Sequence, residues 1–288
     1  MTKTGLLAAC LLLACAPAQA GERVASLNLC GDELALRLLD KGQVASVTWL
    51  ARDPRGSNVA ALAQDVPVNR GLAEEVAAVK PDLVLTGAFT TRTTSAMLHR
   101  LGVPILELSV PATLAEAYAQ IEEVADRLGV PQRGAAMVAQ MKQAFADLPP
   151  PPARRPTAIV LRPNGFAAGR GSLADEILSA AGFDNLAARL SPDRMGQLTL
   201  EDVVAADPDM LVINASPDSP PSLADELLRH PALAHFAQEG RVVALPPRLW
   251  ACAGPELAEA ARLLAAARVK AAREIAVRGA TTRERPVQ

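Results

Sequence analysis

Apolar and polar positions alternate along this chain in two rhythms. Short apolar runs occupy Val24–Leu27, Val44–Val47, Leu83–Leu85 and Ile105–Leu108. Between them lie stretches of helical period: 34–39, opened by Asp32-Glu33, then 72–79 and 92–101. Strands separated by amphipathic helices predict βαβ units and a mostly parallel sheet. A longer helical stretch, 113–147, is interrupted at Gly129-Val130-Pro131, and Pro149–Pro152 end it. Its second half places Ala136, Val138, Met141, Ala144 and Phe145 on one face. The alternation then resumes: strand at Ala158–Leu161, helix at 173–181, strand at 210–213, helix from 222, strand at 242–245 and a last helix at 255–276.

The second half repeats the first. Residues 74–85 read EEVAAVKPDLVL and residues 201–212 read EDVVAADPDMLV, aligned without a gap. Each copy is a helix whose Pro-Asp turn feeds a strand. Gly102-Val103-Pro104-Ile105 and Gly240-Arg241-Val242-Val243 continue the match. Helix-Pro-Asp-strand junctions are common, but this register across both halves favours two similar α/β lobes. SLADE, at 172–176 and 222–226, lies within one half and reads as reuse of a good helix start.

The first residues follow another logic. Lys3, the apolar run 5–15 and Ala18-Gln19-Ala20 form a signal peptide over 1–20, cleaved before Gly21. Eleven apolar residues span about 16 Å of helix, too short for a bilayer core of about 30 Å. Leu12-Leu13-Ala14-Cys15 is a weaker lipoprotein box, so a lipid anchor at Cys15 is the lesser alternative. The reading gives an N-terminal lobe at 21–130, a connecting helix and Pro-rich break at 131–152, a C-terminal lobe at 153–278 and a flexible tail at 279–288. With 29 Lys+Arg against 31 Asp+Glu and 50% hydrophobic residues, the composition suits a globular core. It argues against disorder and against nucleic-acid binding.

An exported chain of two α/β lobes joined by one helix resembles the periplasmic substrate-binding proteins of ABC importers, in the iron-siderophore and cobalamin group. The resemblance rests on Arg23–Leu34 (RVASLNLCGDEL), Val44–Pro54 (VASVTWLARDP), Leu72–Thr86 (LAEEVAAVKPDLVLT) and Leu101–Leu106 (LGVPIL), and is looser in the second half. It implies a periplasmic monomer that takes up a corrinoid or ferric siderophore and delivers it to an inner-membrane permease, with no cofactor and no catalysis. It also implies permease docking through Glu74 and Glu201, one per lobe at matching positions of the repeat.

Ligands of open α/β sheets bind beyond the carboxyl ends of the strands, so the post-strand loops are the candidates. Aromatics are 3% of the chain, yet Trp49, Phe89, Phe166 and Trp250 fall in those loops. Flat apolar side chains suit a large rigid ligand; packing beneath their own loops is the plainer alternative. Arg162 and Arg248 are candidates for anionic ligand edges, and the other loop arginines read as surface. Cys30 and Cys252 each follow a strand of their own lobe and point to the cleft. Three readings stand: separate buried thiols, an inter-lobe disulfide, or joint contact with a soft metal or the chelate. A disulfide needs Cα atoms within about 7 Å, which an open cleft would deny.

Sharper chemistries fail. His99, His230 and His235 lie on helical segments or their ends, and Tyr118, the single Tyr, sits in a helix, so a heme ligand is not evident in the cleft. Gly169-Arg170-Gly171-Ser172 with Ala174 matches a dinucleotide fingerprint, but the preceding strand ends too early. A cofactor-dependent α/β enzyme using this loop is the alternative from another class.

Overall fold

The structure, a computed structural model, describes residues 22–90, 92–191, 193, 195–214 and 227–283. The side chains of 214, 227 and 272–283 are not described. The signal peptide with Cys15, the loop 215–221, the helix start at 222 and the end of the tail lie outside the described residues.

Near-continuous apolar runs become strands covered on both faces. In the first lobe β1 (Val24–Ser26), β2 (Val44–Thr48), β3 (Val68–Asn69), β4 (Leu83–Gly87) and β5 (Ile105–Leu108) form a parallel sheet in the order β3-β2-β1-β4-β5. Helices α1 (Leu29–Leu38), α2 (Ala73–Ala78) and α3 (Arg92–Arg100) connect them. Helix α1 starts earlier than Asp32 because the Asn28 side chain caps it, accepting from the Gly31 N–H at 2.6 Å.

The helical stretch 113–147 divides as expected into α4 (Leu114–Arg127) and α5 (Pro131–Ala146), with Pro131 in the first turn of α5. Gly134 allows the pair to touch: a Cβ there would lie 2.4 Å from that of Ala125.

The second lobe contains β6 (Thr157–Leu161), β7 (Phe166–Ala168), α6 (Leu173–Ala180), β8 (Asp184–Asn185), α7 (Ala187–Leu190), β9 (Met195–Gln197), α8 (Leu200–Ala206), β10 (Met210–Asn214), α9 (Ala234–Gln238), β11 (Val242–Leu245) and α10 (Glu256–Arg283). Its sheet runs β11-β10-β6-β7-β9, with β8 beside the start of β6. One departure from the expected alternation is the hairpin β6–β7. Asn164 (φ 59°) and Gly165 (φ 75°) reverse the chain, and the Arg162 N–H donates to the Phe166 carbonyl at 2.7 Å. An Asn-Gly pair is a hairpin signal; the segment reads from sequence as a plain cleft loop. The last helix also continues to Arg283 rather than 276.

The repeat is structural. Lys80 and Asp207, at matching positions, both take left-handed backbone (φ 48° and 42°) before their Pro-Asp pairs. Asp82 then accepts from the Arg23 N–H ahead of β1, and Asp209 from the Thr157 N–H opening β6, each at 2.8 Å. Both carboxylates tie a new strand to the lobe's first one. Buried side chains of both lobes, Leu34, Leu38 and Leu85 with Val160, Ile177, Val212 and Leu264 among them, form one continuous core. Among the described residues no helix is long and apolar enough to cross a membrane.

Gly134→Ala should lower stability by about 1–3 kcal/mol, because α4 and α5 must part to admit the methyl group. Chemical denaturation read by circular dichroism measures it, and an unchanged midpoint would show that the helices have slack.

Candidate functional site

The parallel strands direct their carboxyl ends to one edge in each lobe. In the first lobe these ends lead into Asn28 and α1, into a 3-10 turn at Trp49–Arg52, and into the Ala88–Thr90 turn. In the second they lead into Arg162–Gly165 and the segment 246–255. The reversal of strand order beside β1 is the usual place for a ligand crevice.

Three of the four candidate aromatics are in water there. Trp49 is 53% exposed, Phe89 92% and Phe166 43%. Phe166 opens β7 rather than sitting in a loop. Trp250 departs from expectation: it is 6% exposed and packed in the shared core with Leu249 and Leu257. The turn after β11 folds it beneath its own segment, so it offers no stacking face.

Arg162 is mostly buried, and its Nε has no protein partner. Burial alone pulls its guanidinium below the ordinary value. Arg248 is held across the lobes: its guanidinium donates to Asn58 Oδ1 at 2.9 Å, and Asn58 Nδ2 donates to its carbonyl at 2.7 Å. Arg52, in contrast, donates to the carbonyls of Ala63 and Val66 and fastens its own loop.

Cys30 and Cys252 are joined in a disulfide, Cα atoms 5.2 Å apart and 222 residues apart in sequence. This selects the inter-lobe disulfide from the three readings, and neither sulfur is a free thiol for a soft metal. The lobes meet at this point, so the geometry forbidden to an open cleft is available. Beside the bridge Arg37 pairs with Glu256 across the lobes. Glu33, 3% exposed, accepts from the Asn58 N–H and side-chain amide at 3.2 and 3.0 Å. Sequence reasoning missed Asn58 and Glu33; the acidic Asp32-Glu33 pair directly after a strand was the available signal.

In the Gly169–Ser172 loop the amides of Gly171 and Ser172 are already engaged. Asp175 Oδ2 takes the Gly171 N–H at 2.9 Å, and Ser172 caps its own helix. Among the described residues no three His, Cys, Asp or Glu side chains assemble as a metal-binding group. Glu74 and Glu201 are exposed in the first turns of α2 and α8.

Residues 24–249 match the model of a family described as periplasmic binding protein. The chain is 28% identical to the periplasmic heme-binding protein RhuT from Roseiflexus sp. RS-1, with a TM-score of 0.71, covering 88% of this chain and 99% of that one. A periplasmic heme-binding protein from Pseudomonas aeruginosa matches at 25% identity and TM-score 0.65, over 86% and 92% of the two chains. A cobalamin-binding protein from Halobacterium salinarum is 26% identical over 213 residues, 72% of this chain and 58% of the relative. The chain therefore spans little more than half the length of that curated relative. These are binding proteins, not enzymes, which removes the cofactor-dependent alternative.

Asp32 ties α1 to Thr48, the last residue of β2 before the Trp49 turn. It is fully buried and accepts from the Thr48 N–H at 3.0 Å and from the Thr48 hydroxyl. Burial pushes its carboxyl up to about 7 against the pull of those donors. Burial, then the charge of Glu256, raises Glu33 as well. Both groups hold protons in the folded chain where the unfolded chain has released them, so stability falls as pH rises from the usual carboxylate range through about 7. Asp32→Asn should flatten that fall in denaturation midpoints between pH 4 and 8. An equally steep profile would remove Asp32 as its source.

Proposed function

We infer that this chain, which belongs to the periplasmic binding protein family, is the exported component of an ABC importer. It captures a metal chelate, a corrinoid or a ferric siderophore, and hands it to an inner-membrane permease. One observation carries the reading: Trp49, Phe89 and Phe166 hold flat apolar surface in water at the carboxyl-end edges of the two lobes. Such surface becomes favourable when a large rigid ligand covers it. Arg162, without a protein partner for its Nε, and Arg248 supply cations for the ligand's anionic edge.

The side chains favour a chelate that arrives with its metal already coordinated. Tyr118 is partly buried in α4, with the Lys142 ammonium 5.2 Å from its ring. His99 is on α3, His230 caps a 3-10 turn and His235 packs on Phe236. Tyr118 packs against the shared core, and His99 sits in the last turn of α3, ahead of the amino end of β5.

Glu74 and Glu201 serve as the permease contacts. Each begins a helix that leads back to the amino end of a central strand, so both helix starts lie on the ligand side of their lobes. Exposed ion pairs are individually weak; two engaged by one rigid body add through effective concentration.

Titration with cyanocobalamin, a ferric hydroxamate siderophore and heme, read by absorption and native mass spectrometry, tests the reading. One of the first two should bind at one per chain, and Trp49→Ala should weaken it about tenfold, the effect of roughly 1.5 kcal/mol of lost burial. Binding of heme alone, or of nothing, would overturn it. The Glu74→Arg, Glu201→Arg double variant should abolish cellular uptake while the purified protein keeps its affinity. Normal uptake would dismiss docking through these residues.

A further inference from the structure

The lobes are joined covalently twice, once through α5 and once through Cys30–Cys252. The second link is set in the ligand region itself. Cys30 lies in the first turn of α1, directly after β1; Cys252 lies between β11 and α10. Cross-lobe polar contacts gather around it: the two Asn58–Arg248 hydrogen bonds and the Arg37–Glu256 pair.

Those contacts are incomplete. Glu33 Oε2, Arg37 Nε and Glu256 Oε2 are buried without a protein partner. The two carboxylates converge on Gly254: a Cβ there would lie 3.2 Å from Glu256 Oε2 and 3.7 Å from Glu33 Oε2. Two carboxyl groups face each other across the lobe contact, and each orphaned polar atom would be better solvated with the lobes apart. Arg37 neutralises only part of this. These unpartnered groups work against the closure that the disulfide enforces, and the Asn58–Arg248 and Arg37–Glu256 contacts work for it.

We propose that Cys30–Cys252 is a redox-controlled stop on the opening of the ligand cleft, a regulation that rests on the binding function inferred above. Oxidised, it holds the end of β1 against the segment after β11. The chemistry is thiol–disulfide exchange with a dithiol reductant. A thiolate of the reductant attacks the sulfur of Cys30, the more exposed residue of the two. The Cys30–Cys252 bond breaks, Cys252 leaves as a thiolate and a mixed disulfide forms. The second reductant thiol displaces Cys30, and the reductant leaves as its own disulfide. Two electrons have passed to the protein, and two protons complete its thiols. The Asn58–Arg248 and Arg37–Glu256 contacts then part, and the cleft widens about α5.

The test compares the oxidised chain, the chain reduced with dithiothreitol and the Cys30→Ser, Cys252→Ser double variant. Thiol titration follows the bridge, solution X-ray scattering follows the lobes, and release of bound cyanocobalamin or ferric hydroxamate follows the cleft. The expected result is two new thiols, a larger radius of gyration and release at least tenfold faster, all reversed on reoxidation. Two thiols with an unchanged scattering profile would overturn the proposal. Should the double variant fail to fold, the reduced native chain, with its circular dichroism checked, decides alone. Should neither chelate bind, the binding function fails, while scattering still decides whether the bridge limits opening.

Discussion

The junction at Cys30 and Cys252 is the constraint around which the molecule is arranged. Two residues 222 positions apart are held with Cα atoms 5.2 Å apart. Closing so long a loop removes about 5 kcal/mol of unfolded-chain freedom in the chain-entropy account. That is comparable to the whole stability of many domains. It also fixes which strand ends meet. The end of β1 faces the segment after β11, and Glu33, Asn58, Arg248, Arg37 and Glu256 come together beside it. Each lobe buries much of its own sheet, but one apolar core passes through the junction. The lobes are joined units rather than beads on a helix.

Within that frame the two lobes solve one folding problem twice. A left-handed residue, Lys80 or Asp207, ends a short helix, and the following Asp fastens the next strand to the first strand of the lobe. Gly102 and Gly240, both at positive φ, deliver the last strand of each sheet. The lobes diverge on the other side of the first strand. There the first lobe adds parallel β2 and β3, and the second folds back through β7 and β9. The divergence affects the ligand region, because Trp49 follows a parallel strand while Phe166 opens a hairpin strand.

The parts legible in the sequence are those set by local pattern. Periodicity and Gly-Pro punctuation placed the apolar strands and the break between α4 and α5, and gapless register exposed the repeat. Long-range contacts left weaker traces. Trp250 and Trp49 both follow strands, yet one is core and one is exposed; what separates them is the packing of α10 over the segment 246–255, invisible along the chain. The disulfide reads as improbable when the lobes are imagined apart, because the distance between its cysteines is a property of their closure. Asn58 has no periodic signature, since its role is to bridge Glu33 on α1 and Arg248 from the other lobe.

The inferred binding function requires a chelate to cover the exposed aromatic surface at the edges of the lobes. The chain has two Trp residues, so a Trp250→Phe variant makes Trp49 the sole indole reporter. Titrating its emission with cyanocobalamin and with a ferric hydroxamate, each of which absorbs where Trp emits, is the most direct measurement. One of them should quench the emission, saturating at one chelate per chain. Emission from Trp49 unchanged while a chelate demonstrably binds would contradict it.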